Sequence, residues 1–253
     1  EQQLGLSLFD RRGYRVSLTE AGRSFHERAK VLLGEMKALR AHAQQLASGE
    51  ESELCVVIGD LCPLPETLAL LRRFFDGCPG TRLHLLFDAI AGPWERLFDG
   101  DADLILHHID KSDPRFEFIN FLEVGLVPVV TPGLLRFPID ASITPKRMRD
   151  YVQVIIRDTA QHSPPRNYFV IDGARSCTVA DQFMKKQLIV GGMGWGHMPK
   201  FLVQSELDNA RLLSIAGSHF KESTIELVAA RRRDLPHGPI AEKLWRFIRD
   251  EVS

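Results

Sequence analysis

Between residues 54 and 106 short β-rich apolar runs alternate with helix-like stretches: strand-like at 54–59, 81–87 and 103–106, helix-like at 66–75 and 94–98. This βαβαβ order predicts a parallel sheet with helices on its faces, because parallel neighbours need a crossover and the crossover is right-handed. Ligands of such sheets bind beyond the carboxyl ends of the strands. Composition agrees with a globular α/β protein: of 253 residues 44% are hydrophobic and 26% charged, which excludes disordered and collagen-like chains. Cys55, Cys62, Cys78 and Cys177 fit neither a disulfide framework nor a metal-finger spacing, so no metal and no cofactor is expected and a reducing compartment is the default. No apolar run approaches the roughly 18 residues of a membrane helix, and Glu1-Gln2-Gln3 stands where a signal peptide places basic and then apolar residues. The expectation is a cytoplasmic protein with no membrane partner.

Taken whole, a formal charge of −1 argues against a nucleic-acid binder. The total averages two unlike parts. Residues 1–48 hold eight basic and five acidic side chains, net +3, and the remainder holds 24 basic and 28 acidic, net −4. Within the basic part Phe25, Ala29, Leu32, Met36, Leu39, Ala43 and Leu46 follow one another at alternating steps of four and three, the seam of a coiled coil. Thr19 is a good N-cap for this helix, Glu20 complements its positive end, and Gly49 is placed to stop it. So narrow a seam suits pairing with another helix better than lying on a broad core. Ahead of it, the apolar pair Leu8-Phe9, the turn at Gly13 and the alternation from Tyr14 to Leu18 read as a small hairpin. Arg11, Arg12 and Arg15 at its tip are suited to DNA phosphates, although a surface hairpin with no partner has the same pattern.

The string Leu4-Gly5-x-x-Leu8-Phe9-x-Arg11, followed by Leu18-Thr19-x-Ala21-Gly22, closely resembles the end of the winged helix-turn-helix domain of LysR-type transcriptional regulators. The resemblance implies the end of a recognition helix and a wing at 1–18, then a dimerising linker helix at 19–48. It continues through Ile58-Gly59, Leu64-Pro65, Phe74, Pro79 and Gly100-Asp101-Ala102-Asp103-Leu104, and through 194–199 with its glycine-rich turn before Pro199. The implied fold class is α/β, a two-lobed effector domain like type 2 periplasmic binding proteins, with lobe 1 at 54–131 and 223–253 and lobe 2 at 132–222. The chain begins without Met and in mid-pattern, so it reads as a fragment lacking the residues that would read bases, and tight sequence-specific DNA binding is not expected of it. Operator DNA is implied as the partner of the full-length protein, a small-molecule effector as the ligand, and self-association as dimers assembling into tetramers.

Two lobes joined by two crossings enclose a cleft, where helix N-termini favour anions. The candidate effector-binding residues are the turn Asp60-Leu61-Cys62 in the first lobe and Ser176-Cys177-Thr178, ahead of a helix running through Phe183, in the second. Thr131 at the crossing, Arg157 after the strand at 152–156, and Trp195 with His197 complete the walls. Several residues carry a second reading. Ser176 and Thr178 also suit helix caps, and Trp195 fills a core as readily as it stacks on a flat effector. Asp60 either repels anions in favour of an amine or hydroxyl, or caps the next helix. Cys62 and Cys177, if both lie at helix N-termini, would be low-pKa thiols, against the plainer reading of two idle ones. His107 and His108 are adjacent on a strand and face opposite ways, so no shared metal is expected.

Three function classes follow. The leading one is a dimerising, ligand-responsive transcription regulator. A transport solute-binding protein is the alternative, disfavoured because it has no use for the heptad helix and basic hairpin. An enzyme has no support, since no nucleophile elbow, P-loop, dinucleotide fingerprint or metal motif is present.

Overall fold

The computed structural model describes residues 1–2, 4–11, 16–48, 51–164 and 166–252. Strands β1 (Phe9–Asp10) and β2 (Ser17–Leu18) pair antiparallel as a hairpin, Phe9 opposite Leu18. Arg12 and Arg15 lie outside the described residues; Arg11 is exposed and sits 3.6 Å from Glu1. Helix α1 (Glu20–Ser48) starts as its cap residue dictates: the Gly22 N–H donates to Thr19 Oγ1 at 2.9 Å, and that hydroxyl donates to the Ser7 carbonyl at 2.7 Å. A Cβ on Gly22 would lie 2.0 Å from the Leu8 carbonyl oxygen, so the glycine lets hairpin and helix pack in contact. Gly49, placed to stop the helix, lies outside the described residues.

The body is built on one nine-stranded sheet. In chain order it uses β3 (Glu53–Gly59), α2 (Leu64–Phe75), β4 (Arg82–Asp88), α3 (Gly92–Asp99), β5 (Leu104–His107) and β6 (Phe116–Val130). Then come α4 (Pro145–Met148), β7 (Gln153–Ile156), β8 (Ser176–Val179), α5 (Gln182–Val190), β9 (Trp195–Pro199), α6 (Lys200–Asp208), β10 (Leu213–Ser214), β11 (Ser223–Arg232) and α7 (Pro239–Val252). The expected parallel βαβαβ unit is present, with β3 between β4 and β5. The long strand β6 changes partner at Leu126. Before it, β6 runs antiparallel to β11, and after it, antiparallel to β9, which passes the chain into a second half-sheet containing β7 and β8.

Both faces of the first half-sheet are buried. Val56, Ile58, Leu104 and Leu106 pack against α2 and α7, while Val57 and Ile105 point to the opposite face with Leu97 of α3. Burial on both faces is why β3 reads as a continuous apolar run without alternation. Helix α7 lays down Ile240, Leu244, Trp245 and Ile248 as one buried stripe, and the Glu51 carboxylate accepts its Ile240 and Ala241 N–H groups at 2.6 and 3.1 Å. Each such fully buried aliphatic contributes about 1.5–3 kcal/mol. The second half has its own cores: Val127, Val129, Val154, Ile189 and Met198 on one side, Val130, Met148, Trp195 and Phe220 on the other.

Candidate functional site

Between the half-sheets lies a cavity of about 150 Å³. Its first-lobe wall is the turn leaving β3. The Asp60 side chain is buried there, 7% exposed, and its Oδ2 accepts from Gln182 Nε2 at 2.8 Å across the cleft. Burial raises the Asp60 pKa, opposed by the Gln182 hydrogen bond and by the charge of Lys185. Next to it, His107 ends β5 with its Nε2 2.8 Å from the Ile90 carbonyl; a carbonyl only accepts, so this nitrogen carries the proton and Nδ1 is left a bare acceptor. The ring fits because residue 59 is glycine, where a Cβ would lie 2.2 Å from that Nδ1.

The second-lobe wall is helix α5, capped by Asp181, whose Oδ1 accepts the Met184 N–H at 2.8 Å. Gln182 and Lys185 stand one turn apart on its cavity face. Lys185 is 7% exposed and has no hydrogen-bond or ion-pair partner among the described residues; burial lowers its pKa to about 8, against a raising contribution from Asp60. His197 of β9 stacks on Phe169 with ring centroids 4.5 Å apart, and burial, then the Lys185 charge, holds it neutral with a pKa near about 4. The loop carrying Tyr168 and Phe169 forms the rim, held by Gln153, which donates to the Phe169 carbonyl at 2.6 Å and accepts from the Ile171 N–H at 3.0 Å. Two lining residues, Ile90 and Phe169, take a φ of 61°. Such left-handed backbone is costly for a bulky or β-branched side chain and clusters at ligand clamps.

Three of the ten effector-site candidates line this cavity: Asp60, Leu61 and His197. The others lie elsewhere. Cys62 is buried and its Sγ donates to the Leu106 carbonyl at 3.1 Å; burial pushes this thiol up to about 12, the reverse of a reactive low-pKa cysteine. Trp195 is 0% exposed and packs edge-on against Phe220 in the second-lobe core, so the core-filling alternative holds. Ser176, Cys177 and Thr178 do lie ahead of α5, the helix through Phe183, but they do not cap it: they form strand β8 at the sheet edge, and the cap of α5 is Asp181. Thr131 Oγ1 lies 3.4 Å from the carbonyls of Val190 and Arg211, away from the cavity, and Arg157 is exposed beyond β7. His107 and His108 do not face opposite ways, because β5 ends at His107 and the ring centroids come within 4.0 Å. Burial and the neighbouring His107 push His108 down to about 3.

Sequence reasoning missed His108, Gln182, Lys185 and the aromatic rim. A signal existed for α5. Gln182, Lys185 and Ile189 share one helical face, and Phe183 and Met184 point away, 72% and 49% exposed. A helix that exposes Phe and Met while burying Gln and Lys has inverted its amphipathicity, and the inversion marks a polar site.

Comparison with known proteins agrees with this fold. The family model of the LysR substrate binding domain matches residues 47–253. The probable HTH-type transcriptional regulator YhaJ of Escherichia coli K12 is 29% identical over 242 residues, covering 92% of this chain and 78% of that protein. CrgA, a LysR-type transcriptional regulator from Neisseria meningitidis, superposes with a TM-score of 0.56 at 18% identity, over 100% of this chain and 86% of that one. Full-length LysG from Corynebacterium glutamicum, solved with bound effector Arg, gives 0.59 at 16% identity, over 98% and 83%. These relatives are regulators, which favours regulation over the transport alternative. The effector-domain match and the two half-sheets exchanging β6 at Leu126 make this chain a member of the LysR family of transcriptional regulators.

Proposed function

We propose that the cavity between the half-sheets is the effector site, and that its occupant biases the closure of lobe 1 (54–131 with 223–253) on lobe 2 (132–222). The observation that carries this reading is the convergence of buried polar atoms without partners on one apolar cavity: Gln182 Oε1, His108 Nδ1 and His197 Nδ1, beside the unpaired Lys185 ammonium. Buried polar groups are normally satisfied, so several orphans on residues that line one cavity support a polar ligand as their missing partner. The test is a thermal-shift screen of small metabolites on the whole chain and on Ile155→Trp, which fills the cavity. An effector raises the midpoint of the parent and leaves that of the filled variant unchanged. A ligand that shifts both alike binds elsewhere.

Self-association through α1 is the second element of the proposal. The seam is open to solvent, with Leu32, Met36 and Leu39 between 61 and 69% exposed, Phe25 at 42% and Ala43 also exposed; Ala29 is half-buried, and the Leu46 side chain lies outside the description. An apolar stripe along a 29-residue helix supports pairing with a second copy. Leu32→Glu with Met36→Glu is expected to move the chain from dimer to monomer in light scattering, with the body's unfolding midpoint unchanged. Exposed Leu64 and Leu68 of α2, with Leu85 and Phe87 of edge strand β4, support a further contact through the body and hence a tetramer. In the full-length protein Arg11, Arg12 and Arg15 would contact operator phosphates, a salt-sensitive contribution that positions without reading sequence. The chain has no helix long and apolar enough to cross a membrane among the described residues.

A further inference from the structure

The cavity's polar atoms are arranged by role as well as by place, which restricts what can fill it. Gln182 gives its Nε2 hydrogen to Asp60, so its amide is oriented and Oε1 is left a buried acceptor with no donor. One turn along α5, Lys185 offers N–H donors with no acceptor. A satisfying occupant therefore presents an acceptor to Lys185 and a donor to Gln182, and residues three apart on a helix are neighbours, roughly 5–6 Å between Cβ atoms. The two groups on the ligand must be adjacent. Charge points the same way. Asp60 and Lys185 are the only acid and the only ammonium among the described lining residues, so the cavity is balanced when both are ionised, and a simple anion would meet the Asp60 carboxylate. Most of the remaining wall is apolar, with Ile90, Leu126, Ile155, Tyr168, Phe169 and Ile225 among its residues. An engineered apolar cavity of about 150 Å³ holds benzene, so the whole ligand, its polar groups included, is about the size of one ring and its apolar remainder is a short chain.

We propose that the cavity takes a small carboxylic acid bearing an amine or hydroxyl on the neighbouring carbon, its carboxylate on Lys185, its donor on Gln182 Oε1 and Asp60, and its compact apolar remainder under Tyr168 and Phe169. The proposal rests on the cavity being the effector site. The Asp60 charge makes the amine, as an ammonium, the better donor. A hydroxyl still satisfies Gln182.

The test is calorimetric titration of the whole chain, and of its Ile155→Trp variant, with a matched panel: the common α-amino acids, the corresponding α-hydroxy acids, the same acids lacking the donor, and the same compounds as amines or amides without the carboxylate. At least one amino acid is expected to bind the parent and not the filled variant. Its hydroxy analogue should bind more weakly, its donor-less acid weaker by about tenfold or more, since Gln182 Oε1 is then left buried and unpaired, and its amine or amide not measurably. Lys185→Met should abolish acid binding, and Asp60→Asn should narrow the preference for amine over hydroxyl. Both variants must keep the parent's circular dichroism; if Asp60→Asn does not, Gln182→Leu, expected to erase the discrimination between donor-bearing and donor-less acids, replaces it. Failure of every amino and hydroxy acid to bind, equal affinity of a donor-less acid, or undiminished acid binding by Lys185→Met overturns the proposed class. If a compound of another class binds the parent and not Ile155→Trp, the effector site stands and only the ligand class falls. If no metabolite distinguishes the two chains, both readings fall.

Discussion

An ammonium buried on the cavity face of α5 without a hydrogen-bonded protein partner costs folding free energy, because the charge of Asp60 offsets only part of its desolvation. Burial lowers the Lys185 pKa to about 8, against 10.5 for a free lysine. Between those values the unfolded chain binds more protons than the folded one, so stability rises with pH through that window and the cost is complete below it. Lys185→Met is accordingly expected to stabilise the ligand-free chain at pH 7 by about 1–3 kcal/mol. The advantage should shrink from pH 8 to pH 10 in urea unfolding; a difference constant across that range would mean that the amine is solvated or paired. The buried histidines act in the same sense at lower pH. Burial holds His107, His108 and His197 near about 4, 3 and 4, against 6.5 when free. Their contribution is complete above pH 6.5 and is lost as pH falls toward 4, because only the unfolded chain takes up the protons. The unfolding midpoint should therefore drop through that interval, and His108→Phe should flatten the drop measurably. Unchanged slopes would remove His108 from the titrating set.

Elements differ in how openly the sequence declares them. Helix α1 was legible because cap, seam and hairpin are local patterns: Thr19 accepts the Gly22 N–H, and the hairpin closes back on the first turn through Ser7 and Leu8. Thr19→Ala should cost about 1 kcal/mol. Gly22→Ala should cost more at the junction, since its Cβ would meet the Leu8 carbonyl, and hydrogen exchange at Leu8, Phe9 and Leu18 reads the loss directly. The first half-sheet was equally legible, since strands buried on both faces must be apolar throughout. The second was not. Ser176-Cys177-Thr178-Val179 is too short to show a period, and small polar residues suit a cap as well as an edge strand; what decides is pairing with β7, a contact between segments 23 residues apart from Gln153 to Ser176. The choice between the two readings of Trp195 lies beyond the sequence for a related reason, because alternation on β9 fixes that it and His197 share a direction but not what lies in that direction along the strand. Helix α5 is legible as a helix, but its buried polar face is not, and that face is the one that lines the cavity.

At the scale of the molecule, the question is how an occupant of the cavity is felt at the linker helix. Helix α1 is tied to the body by Lys30 on Asp99 and Lys37 on Asp101, and His26 lies against His162 with ring centroids 5.1 Å apart. The loop that carries His162 continues to the rim residues Asn167, Tyr168 and Phe169. Three side chains tie that loop to the first lobe: Asp158 Oδ1 accepts the Ala91 N–H and Thr159 Oγ1 the Ala89 N–H, each at 3.0 Å, and beyond them the Glu95 carboxylate of α3 accepts the N–H groups of Gln161, His162 and Ser163 at 2.7, 3.0 and 3.1 Å. A rim displaced by ligand is thus connected through a few residues to a helix that presents its apolar seam to a second copy. A coupling of this kind requires two arrangements that the ligand weights differently, and proximity alone does not supply them. Glu95→Ala releases three N–H groups without touching the cavity lining or the seam, so it separates the two ends. Hydrogen exchange on the parent should show slower exchange in 161–170 and at the start of α1 when ligand is added. The variant should keep dimerisation and bind ligand within about tenfold of the parent, a cost of ordering the rim of about 1.4 kcal/mol or less. Its protection of 161–170 should be lost, and α1 should no longer respond. If α1 responds in the variant as in the parent, the signal travels by another route, through β6 and the closure of the half-sheets.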